Sequence, residues 1–221
     1  MDELVIWGSG GHARVVKQLC EQLGYRILGF LDERAEMKGR IVEQIPVLGD
    51  LGDISCLSES VQIVCCGVGE PALRRRLAVK TQQSGFQIAP PLVHPSAHYP
   101  EGCKVGAGSI VLEHSVLSSG CKIGEFVIVN ALAFIGHDTV IEDYATISPG
   151  ASIGGDVRIG RGSFVGIGAS VREKVSIGDH SVIGGGSYVM NDVPDRVLMA
   201  GVPAVFKKKW DENMPVFKPA R

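Results

Sequence analysis

The sequence predicts a two-part chain: a small parallel α/β sheet over about residues 1–90, then a triangular coil of short parallel strands. Three observations carry this. Up to about residue 90, apolar strand-sized runs alternate with helix-patterned segments, the grammar of a parallel sheet with crossover helices. From residue 105 an aliphatic residue recurs every sixth position without a slip, from Val105 and Val111 through Ile135, Ile153 and Val171 to Val189. Glycine, at 29 of 221 residues, is about 13% against a usual ~7%, so the fold needs many tight corners.

The elements follow in order. Leu4-Val5-Ile6-Trp7 is a buried strand, and Gly8-Ser9-Gly10-Gly11-His12-Ala13 leads into a helix whose apolar face is Val15, Val16, Leu19 and Leu23, ending near Gly24. Residues 27–31 form a second strand that ends in Asp32. Then come a strand at 47–49, a strong apolar strand at 61–66, a basic helix around Arg74, Arg75 and Arg76, and a last strand near 86–88. The glycine loop fits G-x-G-x-x-A between a strand and a helix, with an acid closing the next strand. Glycines there let the backbone approach a pyrophosphate, and the helix start offers free N–H groups. About ninety residues supply only half of a dinucleotide fold, so a single nucleotide is the expected cargo, and a tight turn with no ligand is the structural alternative.

In the second part the aliphatic series is shadowed, four residues later, by small residues such as Ser109, Ser115, Cys121, Ala133, Ala145 and Ala169. Glycine follows the aliphatic residue at Gly106, Gly124, Gly136 and Gly154 among others, where a corner is expected to need backbone freedom. Six residues per unit fits neither a 3.6-residue helix nor a plain hairpin. It fits a coil with three strands per turn, the aliphatic residue inside, so that 105–194 makes five coils and Val93 and Tyr99 extend the register to a looser sixth.

Composition excludes several classes. With 22 Lys+Arg against 24 Asp+Glu and a net charge of −2, nucleic acid is not the expected partner. No run approaches the ~18 apolar residues of a membrane span, and the acidic start MDELVIW is unlike a secretory signal, so a soluble, cytoplasmic protein is expected. The six cysteines (Cys20, Cys56, Cys65, Cys66, Cys103, Cys121) show no metal-type spacing and read as reduced thiols packed as small hydrophobes; no metal is expected.

The repeat resembles the hexapeptide motif [LIV]-G-x-x-[STAV]-x of the left-handed parallel β-helix, whose members are mostly acyltransferases using an acyl-CoA or acyl-carrier donor. Together with the G-x-G-G-H-A loop of a half-Rossmann domain, the joining Val93-His94-Pro95-Ser96 and the terminal Gly201-Val202-Pro203-Ala204, the chain is similar to bacterial nucleotide-sugar acetyltransferases of the sialic acid O-acetyltransferase (NeuD-type) family. That resemblance implies a nucleotide-sugar-binding domain at 1–90, an acyltransferase β-helix at 91–204 and a tail at 205–221. It implies acetyl-CoA as co-substrate, a nucleotide-linked sugar as acceptor, and a homotrimer with shared sites.

The chemistry needs a base for the attacking amine and a donor for the oxyanion, and histidine suits the first task. His137 follows the inward Ile135 by two positions, so its side chain should leave the coil, and the adjacent Asp138 can orient an imidazole. The resemblance places the catalytic His-acid pair here with an asparagine seven residues earlier, at Asn130; an ordinary exposed histidine is the alternative. It also puts Gly10, Gly11, His12 and Asp32 at the nucleotide, with His12 as a donor to phosphate. Relatives often carry a second histidine nine residues after the first, but this chain has Thr146, so the donor contact would pass to its hydroxyl or to a backbone N–H. Gly155, Gly185 and Lys207 are the further acetyl-CoA candidates, the glycines beside the pantetheine arm and the lysine at the CoA phosphates. His94, His114 and His180 are expected to be structural or solvated. N-acetylation of a 4-amino-dideoxy sugar leads, with sugar or sialic acid O-acetylation and a non-catalytic nucleotide-sugar scaffold as alternatives.

Overall fold

The computed structural model describes residues 2–55, 57, 61–211 and 213–217; Cys56 lies outside them. The first part is the small α/β unit. Strand β1 (Glu3–Trp7) leads into α1 (Gly11–Gln22), then β2 (Arg26–Leu31), β3 (Ile41–Val42), β4 (Ile45–Gly49), β5 (Gln62–Val64), α2 (Pro71–Gln83) and β6 (Gln87–Ile88). The sheet order is β3-β4-β2-β1-β5-β6, parallel except for the β3-β4 hairpin. The apolar run at 61–66 is a strand only as far as Val64. A 3-10 turn follows at Cys65–Gly67, where a side chain on Gly67 would collide with the Trp7 carbonyl.

The second part is a left-handed β-helix of two-residue strands, each paired in parallel with the residue eighteen positions on, as in Ile128↔Thr146 and Val129↔Ile147. The inward series fills its interior: Val111, Val129, Ile147, Val165 and Ile183 are all fully buried. The outward neighbour separates the three faces. Two faces put residues such as Lys122, Arg158 and Ser152 into solvent, whereas the third presents Ile110, Ile128, Thr146 and Phe164, all buried. That third face carries the α/β unit, because Ile110, Leu112 and Ile128 share one core with Val16, Cys20 and Cys66. Leu92–Val93 extends this face backward by pairing with Ile110–Val111, and Tyr99 is the looser member, 43% exposed.

The corner glycines have a different role from the one expected. Positive φ falls on the third residue after the inward position, at Gly120, Gly150 and Gly168 but also at Phe126, Leu132, Asp138 and Tyr144. The glycine directly after the inward residue is needed for stacking instead: a Cβ on Gly136 would lie 2.5 Å from the Gly154 backbone, and one on Gly106 2.6 Å from Gly124. Successive coils are too close there for any side chain.

Residues 205–211 and 213–217 lie against the body. Val205–Lys209 pairs antiparallel with Val197–Ala200 at the end of the third face, and residues 213–217 cross back to the α/β unit. Cys20, Cys65, Cys66, Cys103 and Cys121 are unbridged and buried, and burial pushes the Cys65 thiol up to about 12. No helix among the described residues is long and apolar enough to cross a membrane.

Candidate active site

One cavity opens within the α/β unit, and a second, adjoining it, lies between that unit and the β-helix. The first, about 390 Å³, opens at the carboxyl ends of β1, β2 and β5, where ligands of such sheets bind. Its floor is the glycine loop. Gly8 has φ +91° and sits against Gly67, while Gly10 and Gly11 are exposed at the start of α1, where no side chain caps the helix. Bare amides at the head of a twelve-residue helix suit a diphosphate. Asp32 lies at the rim, as expected, but its carboxylate already accepts from Ser9 Oγ and from Arg34 Nε and Nη2, at 2.9 and 2.7 Å. Burial opposes its charge, yet the Arg34 and Ser9 bonds prevail and hold the carboxyl below its usual range.

The second cavity, about 550 Å³, runs along the third face of the β-helix. Asn130, Thr146, Ser148, Ile128, Phe164 and Gly185 line it, and His12 and Gly69 line both cavities. The Asn130 amide donates to Ile147 O at 2.9 Å, which fixes the side chain and leaves its oxygen for a ligand.

His12, read from the sequence as a donor to phosphate, lies partly buried where the two cavities adjoin. Burial, with the Arg74 charge second, lowers its pKa to about 4, so the ring is neutral near pH 7; a hydrogen bond with the Cys66 backbone pulls the other way. That opposing direction is the one expected when a carbonyl accepts from the ring. Nε2 is buried without a hydrogen-bond partner among the described residues.

Arg74, read from sequence only as part of a basic helix, is fully buried. It donates from α2 to the carbonyls of Val68 and Gly69 on its own side and of Phe126 and Tyr144 on the β-helix, and to Thr146 Oγ1 at 2.8 Å. A buried guanidinium is tolerable only when its donors are satisfied in this way. Thr146 is therefore tied to the domain junction as well as to the cavity. The signal for this junction was the recurrence of outward apolar residues at multiples of eighteen, 110, 128 and 164, with Thr146 between the last two, which the inward series overshadowed.

His137 and Asp138 lie elsewhere. They occupy the corner at the far end of the face that begins at Asn130, with side chains 65% and 67% exposed, and line neither cavity. His137 Nδ1 and Asp138 Oδ2 are 2.9 Å apart, an orienting pair. Gly155 lies beneath the ring: a Cβ there would be 2.5 Å from Nε2. Lys207 is on the exposed Val205–Lys209 strand. Of the other histidines, His94 Nδ1 accepts from Ser96 N, and His114 and His180 are positive-φ corner residues. No group of three or more His, Cys, Asp or Glu among the described residues could hold a metal ion.

The chain matches the PglD N-terminal domain over residues 3–81 and the bacterial transferase hexapeptide repeat over 120–155 and 156–191. No curated protein sequence matches it significantly. Among solved structures it is similar to a histidine variant of perosamine N-acetyltransferase from Caulobacter crescentus in complex with CoA and GDP-perosamine: 30% identity, TM-score 0.86, covering 94% of this chain and 97% of that one. It is also similar to the acetyltransferase domain of PglB from Neisseria gonorrhoeae FA1090 in complex with acetyl coenzyme A, at 32% identity, TM-score 0.84, and 93% and 99% coverage. WeeI from Acinetobacter baumannii AYE matches at 26% identity, TM-score 0.80, and 92% and 99% coverage. With both halves matched in one chain, and two such relatives at 30% and 32% identity over nearly their whole length, the chain belongs to the PglD-like, hexapeptide-repeat family of acetyl-CoA-dependent sugar acetyltransferases.

Proposed function

We propose that this enzyme N-acetylates a nucleotide-linked 4-amino-dideoxy sugar, with residues 1–90 holding the nucleotide and 91–204 the transfer chemistry. The observation that carries the reading is that the two cavities adjoin, with His12 and Gly69 lining both. A nucleotide seated over Gly10 and Gly11 delivers its sugar into the cavity beside Asn130. The perosamine N-acetyltransferase whose structure holds CoA and GDP-perosamine gives the reading its acceptor class.

The sugar amine attacks the thioester carbonyl, forming the C–N bond as the C–S bond breaks. His137 Nε2 takes the amine proton and returns it to the leaving CoA thiolate, while Asp138 fixes the ring through Nδ1. Loss of such a base lowers kcat by about 10² to 10⁴. Asn130, Thr146, Gly185 and Lys207 are assigned to substrate and acetyl-CoA contacts.

Since His137 does not line the cavity that Asn130 lines, we assign the complete site to two chains of a homotrimer. Leu132 and Phe134, exposed at 66% and 42% between those two residues, are apolar side chains that a neighbouring subunit would cover. The cytoplasm, where thiols stay reduced, is the expected compartment for a chain with five unbridged buried cysteines among its described residues.

The test is CoA release from acetyl-CoA, read with a thiol reagent, against UDP-, dTDP- and GDP-linked 4-amino sugars and free sialic acid. Turnover with a nucleotide amino sugar, lost in His137→Ala, is the expected result. Activity on sialic acid alone would move the reading to O-acetylation, and full activity of His137→Ala at every pH would remove the base.

A further inference from the structure

The corners of the β-helix stack residues eighteen apart, and one such column holds Phe126, Tyr144, Gly162 and His180, each three residues after an inward isoleucine and each at positive φ. Phe126 and Tyr144 lie ring on ring, with centroids 5.2 Å apart and planes within 2° of parallel. The rings on either side of Tyr144 tilt back over the coil before their own. A Cβ on Gly108 would lie 2.6 Å from the Phe126 ring, and one on Gly162 2.7 Å from His180 Nδ1. A ring carried at position 162 would therefore stack between those of Tyr144 and His180. Glycine leaves that place in the ladder to another planar group.

The gap belongs to a third cavity, of about 290 Å³, bounded by α2 on one side and by the C-terminal segment on the other. From α2 come Arg75 and Arg76, the exposed members of a run whose first arginine, Arg74, is turned inward. From the C-terminal segment comes Trp210, with Lys208 Nζ over its ring at 4.9 Å. One acid, Glu70, is part of the lining, and its Oε2 already accepts from the Val216 and Phe217 amides at 2.8 and 3.4 Å. Arg76 also holds Glu33 at the rim of the glycine-loop cavity. Tyr144, Gly162, His180 and Trp210 line neither of the two cavities described above. Any nucleobase offers a face for stacking, and a guanidinium pairs well with phosphate. The volume is at the small end of ligand pockets, enough for a mononucleotide and no more.

We propose that this third cavity is a nucleotide site of its own, in which the base of a free mononucleotide stacks between Tyr144 and His180 and its phosphate meets Arg75 and Arg76. It is separate from the acceptor and acetyl-CoA sites and stands whether or not the acceptor reading holds. Trp210 and Asn213 form part of its wall, and Val216 and Phe217, a few residues on, line the cavity beside Asn130. An occupant would thus also hold the tail in place against that second cavity.

The two tryptophans of the chain divide the readout, since Trp7 lines the glycine-loop cavity and Trp210 this one. AMP, UMP and ribose 5-phosphate are titrated into the full chain and into Trp210→Phe, and the difference in emission reports on Trp210. AMP should quench Trp210 saturably, and ribose 5-phosphate, which has no base, should bind at least about tenfold more weakly. UMP, with the smaller ring, should fall between them. Tyr144→Asn keeps a residue tolerant of positive φ and should weaken AMP about tenfold, with the response of Trp7 unaltered. Arg75→Gln, at an exposed position, should weaken AMP about three- to tenfold and flatten its salt dependence. The site is overturned if Trp210 ignores AMP and UMP, or if ribose 5-phosphate binds as tightly as AMP. Unchanged AMP affinity in Tyr144→Asn, or in Arg75→Gln should the first variant fail to fold, overturns it equally.

Discussion

His12 shows how a side chain's surroundings set its chemistry. A free histidine titrates near 6.5, and the folded His12 near 4. As pH falls, the unfolded chain therefore takes up a proton that the folded one refuses. The stability is fully present above pH 6.5, declines between 6.5 and about 4, and levels off below, with up to about 3 kcal/mol lost from this group. Urea titrations at pH 7 and pH 4 should show a smaller loss in His12→Gln by about that amount. Gly155 offers a second residue-scale test. Because its missing side chain is what lets the His137 ring lie where it does, Gly155→Ala should lower kcat while leaving the binding of the nucleotide sugar unchanged, as equilibrium binding would report. The His137-Asp138 pair was legible in sequence because the two are adjacent. The state of His12 was not, since it is set first by burial in the folded chain and second by the charge of Arg74, far away in sequence.

At the scale of elements, the six-residue rhythm revealed nearly every strand of the β-helix, but not why its glycines are there. Their position after the inward residue reads as a need for backbone freedom, and only the stacking of coils shows that the need is for space. Gly136→Ala, which would push a methyl group into the Gly154 backbone, should cost about 1–3 kcal/mol. Gly150→Ala faces open space at φ +65° and should cost only the left-handed penalty of about 1 kcal/mol. Thermal melts of the two variants test the ordering. Helix α2 was legible as a helix but not as a tie. Arg74→Leu strands carbonyls on both sides of the junction and should cost about 3 kcal/mol or more, with faster hydrogen exchange along α2.

For the whole molecule, the two-domain order was legible because the grammar changes sharply near residue 90. The joining of the domains was not, because it depends on which of three faces is apolar outside, a property spread over residues eighteen apart. If sites are shared between subunits, His137→Ala and Asn130→Ala chains, each inactive alone, should complement when mixed and reassembled. Half of the chains supply an intact His137 and half an intact Asn130, so about a quarter of the sites regain both. Sedimentation should give about 70 kDa, three times 23.5 kDa.

The antiparallel strand Val205–Lys209 bears on how the molecule behaves in a crowded solution. A stack of parallel coils is open-ended, and a bare terminal coil would offer its unpaired backbone groups to the next molecule as a template for fibres. Here the last parallel strand on that face is covered by a reversed one carrying Lys207, Lys208 and Lys209, all exposed. Like charges meeting end to end repel, so the hairpin gives the solenoid a fixed length and keeps it from growing into a filament.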